Sequence, residues 1–198
     1  ENILKKYLHK IPMGSLEKIT EEHTFNNWIK QKSYKIGTTP KKLEVTLSYK
    51  MDGISISVEY KNGKIVQALT RGEGIMGQDI TSNAKKFLGL PKTAINQKNE
   101  LFTGIVRCEA VLPTKTWEIL DSASVKKTNP RNTANGICAR KNGYQSEYIK
   151  AIAFRAYNKN NSELNSSESG MLESLKDFGF EVSTYWKGNA EKMWSNRV

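Results

Sequence analysis

One short segment of the sequence carries a residue that could act as a nucleophile. Lys50 precedes Met51, Asp52 and Gly53, directly after a run of alternating apolar and polar residues that predicts a strand. A lysine is a nucleophile only when burial or a neighbouring cation lowers the pKa of its amine. Asp52 is close enough along the chain to orient that amine or a metal ion, and Gly53 allows a turn. A surface lysine beside a turn is the alternative.

Three further segments carry residues suited to a nucleotide or a nucleic acid. Residues 70–79, TRGEGIMGQD, hold three glycines within six positions, so the backbone can approach a ligand or DNA closely. Arg107 and Glu109 share one face of a predicted strand, where Glu109 could hold a sugar hydroxyl or a divalent cation. Arg131, after Pro130, suits bidentate contact with phosphate. The respective alternatives are a hairpin connection, an exposed ion pair, and a turn before a helix.

A fifth segment, PMGSL at residues 12–16, follows His9 and could line a pocket for an adenine ring. A simple connector before the first helix explains the same residues. His9 by itself is equally compatible with an ordinary surface histidine.

Hydrophobic periodicity predicts the elements that position these segments. Residues 20–32 are expected to form a helix capped by Thr20, with Phe25, Trp28 and Ile29 on one face. Alternation predicts strands at 43–50, from Ile54 to Tyr60, and from Ile65 to Arg71. Asn62-Gly63 predicts the hairpin turn between the last two. We therefore expect residues 43–71 to form one antiparallel sheet, with 51–53 between two of its strands.

The rest of the chain predicts a mixture of helices and strands. The polar stretch 158–169 is expected to be a surface loop, and the whole pattern indicates an α+β protein with much antiparallel sheet. The other predicted elements are a helix at 80–88, a strand at 101–112, a helix beginning at Pro113, a loop at 126–136, a strand at 151–157, a helix containing Met171, Leu172, Leu175 and Phe178 that ends at Gly179, and a strand at 180–186.

Composition narrows the class of protein. The chain has 198 residues, of which 37% are hydrophobic, so it can bury a core and is not expected to be disordered. Thirty-one Lys and Arg against 20 Asp and Glu give a net charge of +11, which favours a polyanionic partner. No run approaches the roughly 18 apolar residues of a membrane span, and no secretory signal is visible. Cys108 and Cys138 form no zinc-binding pattern and predict reduced thiols in a cytosolic protein.

The order and spacing of the segments resemble the adenylation (nucleotidyltransferase) domain of NAD-dependent DNA ligases. The family pattern H-x-x-P-M-x-S-L matches HKIPMGSL, K-x-D-G matches KMDG, V-R-G-E-V matches VRCEAVLP, and N-P-R-N-x-A-x-G matches NPRNTANG. The resemblance runs from about His9 to Tyr185, and TRGEGIMGQDIT is specific to the NAD-dependent branch. ATP-dependent ligases usually carry an arginine two residues after the motif glycine, where this chain has Ser55.

The resemblance implies an α+β fold of mixed, largely antiparallel sheets with flanking helices, which is the ATP-grasp-like nucleotidyltransferase fold of ligase adenylation domains. It also implies a single, partial adenylation domain over residues 1–198. Its expected parts are an N-terminal segment and helix at 1–33, a catalytic core at 43–157, the polar loop at 158–169, and a C-terminal helix, strand and helix at 170–198.

By the same resemblance, Lys50 attacks the α-phosphorus of NAD, releases nicotinamide mononucleotide and becomes lysyl-AMP. The AMP then passes to the 5′-phosphate of nicked double-stranded DNA, and the 3′-hydroxyl displaces it, with Mg²⁺ assisting. Asp52 and Glu109 are implied to hold the ribose or the metal ion. Arg71 would contact ribose and later the nick, and Arg131 would contact phosphate.

The remaining implied binding residues include departures from the family pattern. Ser15 and Leu16 would border the adenine ring. Ser48 replaces the usual glutamate that contacts the adenine amino group. Arg140 lies one position beyond the site of a family arginine, which is Ala139 here, and is expected to contact DNA. In addition, Cys108 replaces the family glycine in V-R-G-E.

The family's N-terminal helical domain, two later lysine-bearing motifs and the OB-fold are not found in the chain. We therefore expect that it does not seal nicks alone, and that a second polypeptide or sequence deleted from this chain would supply these parts. The expected setting is the cytoplasm of a bacterial or phage-infected cell. An inert module that binds adenylate or nucleic acid and keeps the ligase fold is the alternative.

Overall fold

The computed structural model describes residues 4–120 and 129–193. Within those ranges the protein is α+β with antiparallel strand pairs and flanking helices, which confirms the predicted fold class. The strands are β1 Lys6–Leu8, β2 Glu44–Ser48, β3 Ile54–Lys61, β4 Lys64–Thr70, β5 Met76–Gln78, β6 Gly104–Val111, β7 Lys150–Asn158 and β8 Tyr185–Asn189. The α-helices are α1 Glu22–Lys35, α2 Thr81–Ala84, α3 Thr114–Ile119, α4 Pro130–Cys138, α5 Glu168–Asp177 and α6 Ala190–Met193.

The chain divides into two compact units. The larger unit consists of Lys50–Ser183 together with the segment that ends at Met13. The smaller unit consists of Gly14–Tyr49 together with the segment that begins at Thr184. The chain therefore passes from the smaller to the larger unit at Lys50. The single adenylation domain and its four expected parts stay a prediction; residues 1–3 and 194–198 of those parts lie outside the described residues.

A four-stranded antiparallel sheet with the order β4-β3-β6-β7 forms the centre of the larger unit. Alternate residues of β3 are buried, and Ile56, Val58 and Tyr60 are 0% exposed. This is the period of two that the sequence shows. Asn62 and Gly63 both have positive φ, of 50° and 74°, which confirms the predicted hairpin turn. The sheet thereby holds the segment before Ile54 at one end of its central strands.

A separate two-stranded ribbon pairs β1 with β5. Lys6 lies opposite Gln78, and Leu8 lies opposite Met76. The ribbon ties the N-terminal segment to the glycine-rich segment 70–79, although neither contributes a long strand.

The smaller unit contains α1, α6 and a ribbon in which β2 pairs with β8. Ile29, Leu43 and Ala190 form its buried core, and Phe25 and Trp28 pack against them, as the predicted apolar face requires. The expectation of one sheet over residues 43–71 is wrong, because β2 pairs with β8 and not with β3 or β4. The helix also begins later than predicted: its N-cap is Glu21, not Thr20.

Three other predicted boundaries are wrong. The loop expected at 126–136 contains the start of α4, where Pro130 is the first residue and the Asn129 side chain accepts a hydrogen bond from the Asn132 amide at 2.7 Å. Residues 126–128 of that loop lie outside the described residues. The helix expected at 80–88 is shorter than predicted, since α2 extends only over Thr81–Ala84. The strand expected at 180–186 begins at Tyr185 and continues to Asn189. Among the described helices, none has the length and apolar character needed to cross a bilayer.

Candidate active site

A cleft of about 800 Å³ opens in the larger unit. One group of lining residues comes from the β1–β5 ribbon and the loop between β4 and β5. A second group comes from the start of β3 and the first turns of α4. The lining residues are Lys6, Thr70, Arg71, Gly72, Glu73, Ile75, Met76 and Gln78 in the first group, and Gly53, Ile54, Ser55, Arg131, Asn132 and Asn135 in the second.

The turn at Gly53 is held from both sides. Its amide donates a hydrogen bond to Oε1 of Glu109 at 3.2 Å, and its carbonyl accepts one from Nε of Arg131 at 3.0 Å. A Cβ atom at Gly53 would lie 2.3 Å from the carbonyl oxygen of Ala110. Only glycine therefore fits this position, and the motif residues Glu109 and Arg131 fix the backbone three residues after Lys50.

Ser55 connects two of the segments identified from the sequence. Its hydroxyl donates to Oε2 of Glu109 at 2.7 Å, and its carbonyl accepts a hydrogen bond from the amide of Arg71 at 2.8 Å. Ser55 and Glu109 are directly opposite in the β3–β6 pairing. The half-buried carboxylate of Glu109 thus receives one hydrogen bond on each oxygen.

The loop that carries Arg71 is bound to the N-terminal segment. His9 contacts the carbonyl oxygen of Arg71 through Nε2 at 3.1 Å, and because that oxygen only accepts, Nε2 carries the proton. The amide of Met13 donates to the carbonyl of Gly74 at 2.8 Å. A Cβ atom at Gly74, whose φ is +93°, would lie 2.6 Å from the Met13 carbonyl oxygen. The close approach of these two backbone segments therefore requires glycine at position 74.

Arg107 binds the same N-terminal segment. Nη2 of Arg107 donates to the carbonyls of Ile11 and Pro12 at 3.1 and 2.6 Å, and its guanidinium lies 5.0 Å from the ring centre of Tyr157. Burial lowers the pKa of Arg107, and the neighbouring Tyr157 opposes this shift. Arg107 does not line the cleft; its contacts are those of a structural residue.

Helix α4 presents Arg131 in its first turn and is anchored at its other end. The buried side-chain amide of Asn83 donates to the carbonyls of Cys138 and Arg140 at 2.8 and 2.7 Å. These contacts satisfy helix-end carbonyls that have no intrahelical partner. Arg131 also lies 3.6 Å from Asp52, in a pair whose side chains are 62% and 80% exposed. Such an exposed pair contributes little to stability, so hydrogen bonds rather than this pair position Arg131.

The structure brings some predicted site residues together and leaves others apart. Arg71 and Arg131 line the cleft, whereas Asp52 and Glu109 contact residues that line it. Lys50 is exposed and is not among the lining residues.

The other predicted residues lie elsewhere in the chain. Ser15, Leu16 and Ser48 are exposed residues of the smaller unit, and their contact with adenine stays a prediction. Arg140 is outside the lining, where Nη1 donates to Oε1 of Gln145 at 2.8 Å and the guanidinium lies over the ring of Tyr144. Its contact with DNA also stays a prediction.

Sequence reasoning missed several lining residues, chiefly Lys6, Asn132 and Asn135. Asn132 belongs to the N-P-R-N motif, and Asn135 lies one helical turn beyond Arg131, so a helix prediction at 130–138 would have found both. Lys6 has no motif signal. It lines the cleft because β1 pairs with β5 and Lys6 is opposite Gln78.

Charge in the cleft suits an anionic ligand. Three lining side chains, Lys6, Arg71 and Arg131, are cationic, and one, Glu73, is acidic. A concave site lined mainly by one sign of charge concentrates ligands of the opposite sign. The glycine-rich loop, the arginines and the cleft together are typical of a site for a nucleotide or another phosphate ester.

In the described ranges no three histidine, cysteine or acidic side chains cluster as a metal site would need. Mg²⁺, however, commonly binds through one or two carboxylates, waters and substrate phosphate. The 80% exposed carboxylate of Asp52 fits that donor set. Glu109 already accepts one hydrogen bond on each oxygen, which leaves it fewer lone pairs for a metal ion than Asp52 has.

Residues 1–193 match the family described as the NAD-dependent DNA ligase adenylation domain. The match extends over nearly the whole chain, which therefore belongs to this family.

Curated relatives include the DNA ligase of Treponema denticola, 36% identical over 153 residues, which covers 75% of this chain and 22% of the relative. The DNA ligase of Lachnoclostridium phytofermentans is 32% identical over 196 residues, which covers 96% of this chain and 28% of the relative. The chain thus spans about a quarter of the length of these relatives. A solved structure of a Naegleria gruberi RNA ligase mutant with AMP and Mn is a distant likeness: the TM-score is 0.42, the identity is 10%, and the match covers 99% of this chain and 50% of that one.

Proposed function

We propose that this chain carries out the adenylation step of an NAD-dependent DNA ligase, with Lys50 as the nucleophile. The observation that carries the proposal is the cleft, in which residues of three motif segments, Gly53, Arg71 and Arg131, line one positively charged cavity. Phosphate groups are the ligands that such a cavity attracts. Membership of the family supports NAD as the particular donor of AMP.

The chemistry is displacement at phosphorus. The neutral amine of Lys50 forms a bond to the α-phosphorus of NAD and releases one proton to solvent, while the bond to the oxygen of nicotinamide mononucleotide breaks. Lysyl-AMP and free nicotinamide mononucleotide result. Arg71 and Arg131 neutralise the phosphate oxygens and hold them in line for attack. Positioning and charge neutralisation of this kind can supply most of the rate enhancement.

The other residues bind and orient the nucleotide. We assign the ribose hydroxyls to Glu109, whose carboxylate is fixed by two hydrogen bonds, and the adenine ring to Ser15, Leu16 and Ser48. Asp52 would hold Mg²⁺. A magnesium ion bound there would lower the energy of negative charge on the phosphate oxygens.

Transfer of AMP to the 5′-phosphate of nicked double-stranded DNA, and displacement of AMP by the 3′-hydroxyl, follow in the complete ligase. The relatives are much longer than the matched region, so we assign nick sealing to this region acting with further ligase parts, on the same or a second polypeptide. The net charge of +11 favours contact with DNA, and Arg140 is a candidate contact. Replication and repair of DNA in the bacterial cytoplasm would be the setting.

Intact-mass measurement tests the proposal. The 198-residue chain is incubated with NAD and Mg²⁺ beside Lys50→Ala and a matched control, Lys61→Ala, which removes another exposed lysine from the same unit. We expect a gain of one AMP in the parent and in Lys61→Ala, and none in Lys50→Ala. An equal gain in all three proteins would exclude Lys50 as the nucleophile.

An inert binding module is the second candidate, and one observation favours it: Lys50 is exposed and does not line the cleft. This candidate predicts no AMP gain in the parent, even when the remaining parts of a ligase are added. It also predicts that Lys50→Ala leaves DNA affinity unchanged. An AMP gain that depends on Lys50 excludes it.

A further inference from the structure

Ser55 on β3 is hydrogen-bonded both to Glu109 on β6 and to the glycine-rich segment at Arg71. Its hydroxyl donates to Oε2 of Glu109 at 2.7 Å, and its carbonyl accepts from the amide of Arg71 at 2.8 Å. Two residues earlier, the amide of Gly53 donates to Oε1 of the same glutamate at 3.2 Å. Ser55 itself lines the cleft.

These hydrogen bonds leave acceptor capacity on Glu109 and on Ser55, of which Ser55 lines the cleft. A carboxylate has about four lone-pair sites on its two oxygens, and Gly53 and Ser55 use one site on each oxygen of Glu109. The proton of the Ser55 hydroxyl is directed to Glu109, so the lone pairs of its oxygen can accept from another group. The pair therefore offers acceptors on two neighbouring residues, which suits the adjacent hydroxyls of a ribose.

Two donors also restrict rotation of the carboxylate. With only the Gly53 amide in place, Glu109 could rotate about the bond to its carboxyl carbon and lose alignment with a ligand. The Ser55 hydroxyl opposes that rotation, because it binds the second oxygen from the strand directly opposite. A group that is already ordered before binding loses less entropy on binding.

We propose that Ser55 is a specificity-determining positioning residue, whose hydroxyl orients Glu109 so that the site selects a ribonucleotide over a deoxyribonucleotide. The inference rests on the proposed function, namely that the cleft binds the adenylate and that Glu109 holds its ribose hydroxyls. It goes beyond that function by assigning the discrimination between sugars to a serine hydroxyl.

Ser57 provides a matched control. It lies on the same face of β3, two residues further along the strand, and is opposite Arg107 rather than Glu109. It does not line the cleft. Ser57→Ala therefore removes the same hydroxyl group from the same strand without touching the carboxylate.

Equilibrium binding to the full chain tests the inference. All variants carry Lys50→Ala, so no covalent transfer occurs and Kd values can be measured by calorimetry for AMP and for 2′-deoxy-AMP. We expect Ser55→Ala to weaken AMP binding by about tenfold, the effect of losing one hydrogen bond to a charged group, and to change 2′-deoxy-AMP binding less than about twofold on the same basis. Ser55→Thr, which keeps the hydroxyl, should restore the preference, and Ser57→Ala should not alter it.

The ratio of the two Kd values within one variant does not depend on how much of that variant is folded. Equal weakening of both nucleotides by Ser55→Ala would overturn the inference, because a purely structural role acts on both alike. So would a parent that binds AMP and 2′-deoxy-AMP equally well. A parent that binds neither nucleotide would instead overturn the proposed function.

Discussion

The anchoring of helix α4 by Asn83 gives the sharpest test of how the cleft is held together. Asn83 is 2% exposed, and its amide nitrogen donates to the carbonyls of Cys138 and Arg140 at 2.8 and 2.7 Å. Asn83→Ala leaves both acceptors without this donor. The Arg140 carbonyl keeps a hydrogen bond from the Gly143 amide at 3.4 Å, so the loss falls chiefly on the Cys138 carbonyl. An unsatisfied buried acceptor costs about 1–3 kcal/mol, so we expect the free energy of unfolding to fall by about 1–3 kcal/mol.

Equilibrium urea unfolding, followed by far-UV circular dichroism, measures this loss. Asn160→Ala is the control: Asn160 is an exposed loop residue, and its replacement should change the free energy of unfolding by less than about 0.5 kcal/mol. A loss of less than about 0.5 kcal/mol for Asn83→Ala would refute the reasoning, since surface substitutions alone reach that size.

Asn83→Asp sharpens the same test through its dependence on pH. At neutral pH the new carboxylate faces two carbonyl oxygens and can donate nothing, so this variant should be less stable than Asn83→Ala. Burial beside acceptors raises the pKa of a carboxyl group in the folded state. The protonated form donates a hydrogen bond. The free energy of unfolding of the variant, relative to the parent, should therefore increase as the pH falls and decrease as the pH rises. An Asn83→Asp variant as stable as the parent at neutral pH would contradict the assigned donor role.

Two further predictions follow from the cleft and the core. Lys6→Ala should weaken AMP binding at low salt, because Lys6 lines the cleft, whereas Lys5→Ala, its neighbour outside the lining, should not; equal losses would show a general charge effect. Burial raises the pKa of the Cys138 thiol to about 12. Cys138 should therefore resist alkylation in the folded protein and react in urea. Because the folded state retains this proton, the contribution of the thiol to the free energy of unfolding should be complete below about pH 8. Above the pKa of the unfolded state, that contribution should fall by about 1.4 kcal/mol per pH unit. Rapid alkylation of the folded protein, or a free energy of unfolding that stays constant to about pH 10, would contradict this prediction.

Local pattern was sufficient to predict β3, the Asn62-Gly63 turn and β4, because alternation and positive φ are properties of neighbouring residues. It failed for β2, whose partner β8 lies more than 130 residues away in sequence. Alternation shows that a residue run is a strand but does not identify the strand with which it pairs. The start of α4 was placed in a loop for another reason: the helix begins at Pro130, and the residues around that proline are polar, so they resemble a loop.

The candidate site was predictable where chemistry is written in short motifs. Arg71 and Arg131 were identified from their motifs, and both line the cleft. Lys6 could not be found in this way, because its place depends on a three-residue strand and on its pairing with Gln78, far along the chain. Ser55 was noticed only as a missing arginine, and its bond to Glu109 depends on the register of β3 and β6.

The pairing of β3 with β6 has a consequence for the order of folding. The β3–β4 hairpin can close through a two-residue turn, whereas Ser55 and Glu109, which share a hydrogen bond, are 54 residues apart along the chain. Closing a longer loop costs more entropy, and non-local pairings form more slowly. Nucleotide-binding capacity should thus return late in refolding, after the hairpin is complete. A ligand that binds only the finished sheet would then draw the population of partly folded chains toward the native state by mass action.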